Sequence, residues 1–540
     1  MNAEPDPRSA APLADGLRDP STDPTASYAL EPEFVRGLTD RLLATGATSV
    51  PTYSPVNGQP LGTVPQSTAG DVEEAFRRAR RAQEQWARTS IDERQAALLR
   101  LHDLLLARLP EITDLICWES GKARKDAYDE PLHVALTARY YGRTGHRHLD
   151  TRRVAGVIPG LTRVEVNRVP KGVVGVISPW NYPFTLALCD GLPALLAGNA
   201  VVHKPDSQTV LTALWGVRLL EEAGFPPDLW QVVAGPGREL GPEIIDRADY
   251  VCFTGSTATG KQIAQRCADR LIGCSLELGG KNPILVLRDA DLDRAAEGAV
   301  RACFSNAGQL CVSTERMFVA DQVYDRFMAR FLARVKAMNL QAGPAWGSDM
   351  GTLISQAQLE AATAHVDDAR AKGARVLTGG RPRPDLGPYY YEPTVLEGVS
   401  PEMSCFHDET FGPVVSVYRF GDEADAVARA NEGSYGLNAS VYSQDGTRAR
   451  AVARQVKCGT VNVNEAFGAT FASIDAPMGG MRESGLGRRQ GAEGVLRYTE
   501  TQSVATQRLV RFGPMLGMSD ATYARVMTAQ LRLLKKLGRK

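Results

Sequence analysis

The chain has 540 residues, too many for one ordinary core, so two or three domains are expected. Apolar residues make up 43% and charged residues 23%, the balance of a globular protein. Lys plus Arg and Asp plus Glu both number 62, which leaves no basic excess of the kind that general nucleic-acid binding draws on. No apolar run is long enough to cross a bilayer, and the N-terminus lacks the charged start and apolar stretch of a secretory signal. Neither secretion nor stable membrane insertion is therefore expected. The nine cysteines are scattered, with no CxxC pair, and read neither as a disulfide scaffold nor as a metal site. No metal is expected, and the cytoplasm, where thiols stay reduced, is the expected compartment.

In chain order, residues 1–30 are rich in Pro, Asp, Ala and Ser and read as a disordered tail. Residues 71–109 read as helical: Val72, Ala75, Phe76 and Ala79 recur at helical spacing, Asp71 suits an N-cap, and 91–106 continues the pattern. Residues 162–169 alternate through Val164, Val166 and Val169, as in an exposed strand or hairpin arm. Strand-like runs follow at 172–177, 200–202, 230–233 and 250–253, separated by helical segments that include 209–223 and 260–270. Strands alternating with helices predict βαβ units in a doubly wound parallel sheet, which binds ligands at the C-terminal ends of its strands. A second series, with runs at 284–287, 316–319, 413–418 and 460–463, extends to about residue 482. The fold class is therefore α/β, with two doubly wound parallel-sheet domains. The stretch 515–540 is basic and amphipathic: Val526, Leu533, Leu534 and Leu537 against Arg525, Arg532, Lys535 and Lys536. A helix lying on a membrane surface and a helix packed on the protein or at a subunit interface both fit, and the second is favoured.

Several segments carry residues suited to chemistry. Cys311 ends Ser305-Asn306-Ala307-Gly308-Gln309-Leu310, small and flexible residues that suit a thiol offered by a loop. Glu277, between leucines and before Gly279-Gly280, is either a satisfied buried acid or a base whose pKa burial raises. Asn181, in Pro179-Trp180-Asn181-Tyr182-Pro183, is a turn residue or an amide aimed at an oxyanion. Thr254-Gly255-Ser256 joins a strand to a helix, where a helix N-terminus can hold phosphate. His203-Lys204-Pro205-Asp206-Ser207 ends another strand, and its lysine either is solvated or reaches a ribose or phosphate.

Together these segments resemble the aldehyde dehydrogenase superfamily over about residues 50–507. The order is PWNYPF, KPxS, FTGSTxxG, LELGGK, GQxC, ETFGPV at 409–414 and PMGGMRESGLGRR at 477–489, with Glu277 and Cys311 at the family's spacing of base and nucleophile. The resemblance implies a Rossmann-like dinucleotide-binding domain of residues 31–151 and 170–279, a catalytic domain of 280–496, an oligomerisation arm of 152–169 and 497–507, and an extension of 508–540. A homodimer or homotetramer is expected. Cys311 matches the nucleophile that forms a thiohemiacetal and then a thioester with an aldehyde. Asn181 matches the oxyanion donor and Glu277 the base for hydrolysis. Trp180, Lys204, Ser207, Gly255, Ser256, Glu409 and Phe411 match cofactor positions: Lys204 at the adenosine ribose, Ser256 at the pyrophosphate, Glu409 at the nicotinamide ribose and Phe411 beside the nicotinamide. Many NAD-preferring members carry Glu where Ser207 stands, so NADP is favoured and NAD tolerated.

The wording of the chain resembles most the succinate-semialdehyde dehydrogenases of the bacterial branch, so succinate semialdehyde is the expected substrate and a medium-chain or aromatic aldehyde the alternative. The arginines that such enzymes use for the substrate carboxylate fall at Cys189 and Ser305 here. Arg316, Arg482 and Arg488 are the substitute candidates. Met478 replaces a common Phe and Arg489 a common Glu, neither expected to enter the core mechanism. Ser313 removes the CxC pair of some relatives. A redox-free thioesterase and a non-catalytic protein are disfavoured, because the cofactor positions, nucleophile and base are all present.

Overall fold

The computed structural model describes residues 30–157, 161–508, 513–514 and 517–538. The tail expected to be disordered lies outside these residues apart from Leu30, as do parts of the basic extension. The chain falls into two compact units: residues up to 148 with 170–498, and residues 149–169 with those from 499 onward.

The larger unit holds two main sheets. One has six strands in the order Gly485–Leu486, Gly273–Glu277, Tyr250–Thr254, Val173–Ile177, Ala200–Lys204 and Trp230–Val232. All pairings are parallel except that of Gly485–Leu486. The other has seven strands, Arg375–Thr378, Thr394–Glu397, Val414–Phe420, Thr314–Ala320, Asn282–Val286, Asn438–Tyr442 and Thr460–Val463, antiparallel only at Arg375–Thr378. Every residue of Ala200–Lys204, Tyr250–Thr254, Asn282–Val286 and Asn438–Tyr442 is buried, as in parallel sheets covered by helices on both faces. The expected α/β class with two parallel sheets holds.

Two sequence readings need correction. The helical span 71–109 is broken into Ala69–Trp86 and Ile91–Ala107. The first helix is capped by Thr68, and Asp71 instead supplies the return bond of a capping box. Ser90 and Glu93 repeat that device at the second helix, which is why the break falls there. Residues 485–486, inside the span assigned to the second domain, pair with Leu276 and Glu277 of the first sheet. The smaller unit is a three-stranded sheet of Thr499–Gln507, Thr162–Pro170 and Arg152–Val154, with a helix Asp520–Lys536 in which no residue is buried. Among the described residues, no helix is long and apolar enough to cross a membrane.

One helix without a sequence signal, Arg124–Leu149, has Pro131 in its interior and lies against the helix Pro183–Leu196. Its Glu130 accepts the backbone N–H groups of Phe184 (2.9 Å) and Thr185 (3.0 Å), two of the free donors at the start of Pro183–Leu196. Glu130 is also ion-paired with Lys122, whose ammonium lies 3.6 Å from the centre of the Tyr182 ring. Both partners are fully buried, so removing one strands the other's charge. Glu130→Ala should therefore destabilise the protein by about 3–5 kcal/mol, measured as a lower urea midpoint. Lys125→Ala, at the exposed pair with Asp349, should change stability by less than about 1 kcal/mol.

Candidate active site

The chain leaves the six-stranded sheet at Glu277 and enters the seven-stranded sheet at Asn282, so residues 278–281 pass directly from one to the other. On the first side stand the C-terminal ends of parallel strands: Ile177 leading to Asn181, Lys204, Thr254 leading to Ser256, and Glu277. On the second side stand strand starts: Cys311 just before Thr314–Ala320, and Glu409 and Phe411 just before Val414–Phe420. The two edges meet at the glycines of the crossing. A Cβ on Gly279 would lie 2.5 Å from Glu409 Oε2, and one on Gly280 would lie 2.6 Å from the Cys311 carbonyl. Only glycine lets the backbone come that close.

The loop before Cys311 runs through three successive left-handed residues, Asn306, Ala307 and Gly308 (φ 49°, 52° and 71°). Such backbone persists only where its surroundings enforce it. Asp126 accepts the Asn306 N–H at 3.0 Å, and Asn306 Nδ2 donates to the carbonyls of Asn181 and Gln309, each at 3.0 Å. Asn181 Nδ2 in turn donates to the Gln309 carbonyl at 3.1 Å, which leaves its second amide hydrogen for another acceptor. On the far side of the loop, Asn282 Nδ2 donates to the carbonyls of Cys311 and Ser313, each at 2.7 Å. Asn181 and Cys311 are thus held on either side of one loop by Asn306 and Asn282, polar residues without a local sequence signature.

Cys311 is half-buried, and its thiol is pushed up to about 12, first by burial and then by the carboxylates of Glu277 and Glu409. Arg489 and the Val312 N–H act in the opposite direction. Glu277 is 5% exposed, and its Oε1 has no hydrogen-bond partner. Burial pushes this carboxyl up to about 7, with Arg489 the foremost opposing charge. Glu409 accepts the Gly280 N–H at 2.8 Å, and burial, followed by the Glu315 charge, raises its carboxyl to about 8.

The remaining expected cofactor positions lie around the same cleft. Trp180 and Phe411 meet edge to face at 5.5 Å. Phe411 has a left-handed backbone (φ 50°) held by Glu315, which accepts the N–H groups of Thr410 and Phe411 and pairs with Lys281. Gly255 donates to the Glu277 carbonyl at 3.0 Å, and Ser256 caps the helix Thr257–Asp269. Lys204 is 4% exposed and donates to the Pro205 carbonyl, while Ser207 is exposed and donates to Gly235.

The three arginines considered for a substrate carboxylate are engaged elsewhere. Arg316 donates to the carbonyls of Lys281, Arg429 and Ala430; Arg482 to those of Asn431 and Gly433; Arg488 to those of Gly480 and Gly487. Each acts as a backbone clamp. Arg489, set aside on sequence grounds, is instead the foremost cation acting on both Glu277 and Cys311.

A family model described as the aldehyde dehydrogenase family matches residues 43–504. The chain belongs to the aldehyde dehydrogenase family. A Mycolicibacterium smegmatis protein named "Putative succinate-semialdehyde dehydrogenase (NADP+)" is 52% identical over 480 residues, covering 89% of this chain and 93% of that one. The mitochondrial succinate-semialdehyde dehydrogenase of Rattus norvegicus is 36% identical over 506 residues, covering 90% of this chain and 95% of the other. Among solved structures, betaine aldehyde dehydrogenase of Staphylococcus aureus with NAD+ superposes with a TM-score of 0.84 at 31% identity, over 89% of this chain and 97% of that one.

The raised pKa of Glu277 has a stability consequence. Above about pH 4.5 the unfolded chain releases a proton that the folded protein keeps, so the stability held below that pH is lost as pH rises through about 7. Glu277→Gln does not titrate. Its melting temperature should match that of the parent near about pH 5 and exceed it near about pH 8, a differential of at most roughly 3 kcal/mol. A gap that does not change with pH would contradict a neutral buried carboxyl.

Proposed function

We propose that this aldehyde dehydrogenase oxidises succinate semialdehyde to succinate, with NADP+ as the preferred hydride acceptor and NAD+ tolerated. Relatives of 48–52% identity carry that substrate and cofactor in their names. The observation that carries the catalytic reading is the pairing of a loop thiol, Cys311, with a buried carboxyl, Glu277, whose Oε1 is unpartnered and whose charge bears on that thiol.

The residues of the cleft fit a dinucleotide. Lys204 is a buried cation with no ion-pair partner among the described residues, suited to a ribose or a phosphate. Ser207 is neutral and exposed, so position 207 itself sets no carboxylate against a 2′-phosphate. The helix Thr257–Asp269 offers its N-terminus behind Ser256 for pyrophosphate. Glu409, oriented by the Gly280 N–H, accepts hydrogen bonds from a ribose diol, and Trp180 and Phe411 wall the nicotinamide end. When bound, the dinucleotide supplies a hydride acceptor.

The chain's own residues carry the other steps. The Cys311 thiol passes its proton to solvent water and its sulfur bonds to the aldehyde carbon, giving a thiohemiacetal oxyanion. The free amide hydrogen of Asn181 and the backbone N–H of Cys311 hold that oxygen. Loss of hydride from the carbon leaves a thioester on Cys311. Glu277 then takes a proton from water, the water oxygen bonds to the carbonyl carbon, and the C–S bond breaks to release the acid and restore the thiolate. A base near pKa 7 suits this step at neutral pH. Subunits pair as a dimer or tetramer in the cytoplasm, and the exposed strand Thr499–Gln507 offers an edge for such pairing.

Purified enzyme assayed with succinate semialdehyde, hexanal and benzaldehyde, each with NADP+ and NAD+, tests the reading. Highest kcat/KM is expected for succinate semialdehyde with NADP+, and none with Cys311→Ala. Asn181→Ala should lower kcat by about 10²–10³. Glu277→Gln should give a burst of reduced cofactor followed by turnover at least about 10²-fold slower. Preference for hexanal or benzaldehyde would keep the mechanism and replace the substrate. Turnover that survives in Cys311→Ala would overturn the mechanism.

A further inference from the structure

Besides Glu277 Oε1, the buried side-chain atoms without a hydrogen-bond partner include Arg489 Nη2, His133 Nδ1 and Gln490 Oε1. Arg489, His133 and Gln490 line one cavity, together with Thr185, Cys189 and Met478. Thr185 and Cys189 stand four positions apart on one face of the helix Pro183–Leu196, which starts two residues after Asn181.

The charge count in this cavity is unbalanced. Arg489 Nε pairs with Asp190 Oδ1 at 3.0 Å, and Arg497 Nη2 pairs with the same oxygen at 2.7 Å. Two guanidiniums share one carboxylate, with side-chain exposures of 12%, 9% and 6%, so the cluster carries a surplus positive charge away from water. A buried surplus charge is costly unless an anion meets it. Glu277, its carboxyl pushed up to about 7, is about half ionised at neutral pH and offsets the surplus only in part. His133 adds a neutral donor. Gln490 Nε2 lies 3.5 Å from His133 Nε2, so that nitrogen accepts and the ring proton sits on the unpartnered Nδ1. Burial, helped by the Arg489 charge, pushes this imidazole down to about 3 and keeps it uncharged.

We propose that Arg489 receives the distal carboxylate of the aldehyde substrate, with His133 Nδ1–H as a second donor, and so sets the preference for an acid semialdehyde. This rests on the function proposed above. The guanidinium reaches from position 489 into the cavity that Cys189 lines, where the resemblance leads one to expect an arginine on the helix itself. The cleft beside Ser305 is a poorer anion site, since its four cations face five carboxylates. The Arg489 cavity measures ≈10 Å³, the room one water needs. Met478, an unbranched and adaptable thioether in its wall, is the side chain that yields to a carboxylate.

The test is the ratio of kcat/KM for succinate semialdehyde to that for butanal, which has the same carbon count and no carboxylate. The ratio cancels changes in steps common to both aldehydes. Arg489→Met should lower it by about 30-fold or more, mainly through KM for the semialdehyde, and Arg489→Lys by less. Succinate should inhibit butanal oxidation competitively in the parent enzyme and no longer in Arg489→Met. If Arg489→Met does not fold, His133→Phe decides: it keeps a ring against Phe471 and should raise KM for the semialdehyde about 5- to 10-fold relative to butanal. Parent-like ratios in the folded variants would overturn the inference while leaving the proposed function standing. A parent enzyme without preference for the semialdehyde would instead remove the proposed function, and the inference with it.

Discussion

The site depends on how abruptly the chain passes from one sheet to the other. Between Glu277 and Asn282 there is no room for a loop, so the C-terminal edge of the first sheet and the N-terminal edge of the second are held within a few residues of each other. Parallel sheets present backbone donors and strand-end side chains at these edges, which is why so many functional types collect there. The crossing is itself fastened at both ends. Gly255 donates to the Glu277 carbonyl, Leu278 donates to Ser484, Gly280 donates to Glu409, and Asn282 holds the Cys311 loop. A shift of this segment would move the carboxyl, the thiol loop and the ribose-facing Glu409 together.

Burial at that junction sets the proton economy. With its thiol pushed up to about 12, Cys311 keeps its proton at neutral pH, whereas Glu277, pushed up to about 7, is there about half ionised. The negative charges of Glu277 and Glu409 are among the causes that hold the Cys311 proton in place, so ionising the base also discourages the nucleophile. The two groups are useful in sequence rather than at once: the thiolate is needed to form the adduct, and the carboxylate only after the thioester exists. Charge that counteracts burial comes chiefly from Arg489, which acts on both groups from one place.

Much of this was legible in the chain because the chemistry lies in contiguous motifs. Asn181, Glu277, Cys311 and the glycines beside them are marked by their neighbours, and the alternating strands and helices read clearly where β-branched runs are continuous. What escaped notice is what has no local signature. Asn438–Tyr442 is a buried strand with Asn, Ala and Ser among its five residues, so it has no apolar run. The helix Arg124–Leu149 is interrupted by Pro131 and rich in charge. Asn306, Asn282 and Glu315 are ordinary polar residues whose roles appear only when carbonyls and N–H groups distant in sequence converge on them. The arginines were misjudged for the same reason: a guanidinium's partner is a tertiary fact, and Arg316, Arg482 and Arg488 spend theirs on carbonyls.

Arg489 shows how a cavity's character can be kept while its supplier in the chain changes. A guanidinium is long, and its charge needs only to arrive at a point, so helix position 189 and loop position 489 are interchangeable providers if both border the same space. What cannot be exchanged freely is the counter-charge. Asp190 follows Cys189 directly and takes Arg489 and Arg497 together, so the loop and the helix are tied by one carboxylate. Without Asp190, two guanidiniums would face each other in a space with little water, and the folded state would bear the repulsion. With it, a surplus of positive charge is left at the cavity wall, placed to discriminate an acid aldehyde from a neutral one of the same length.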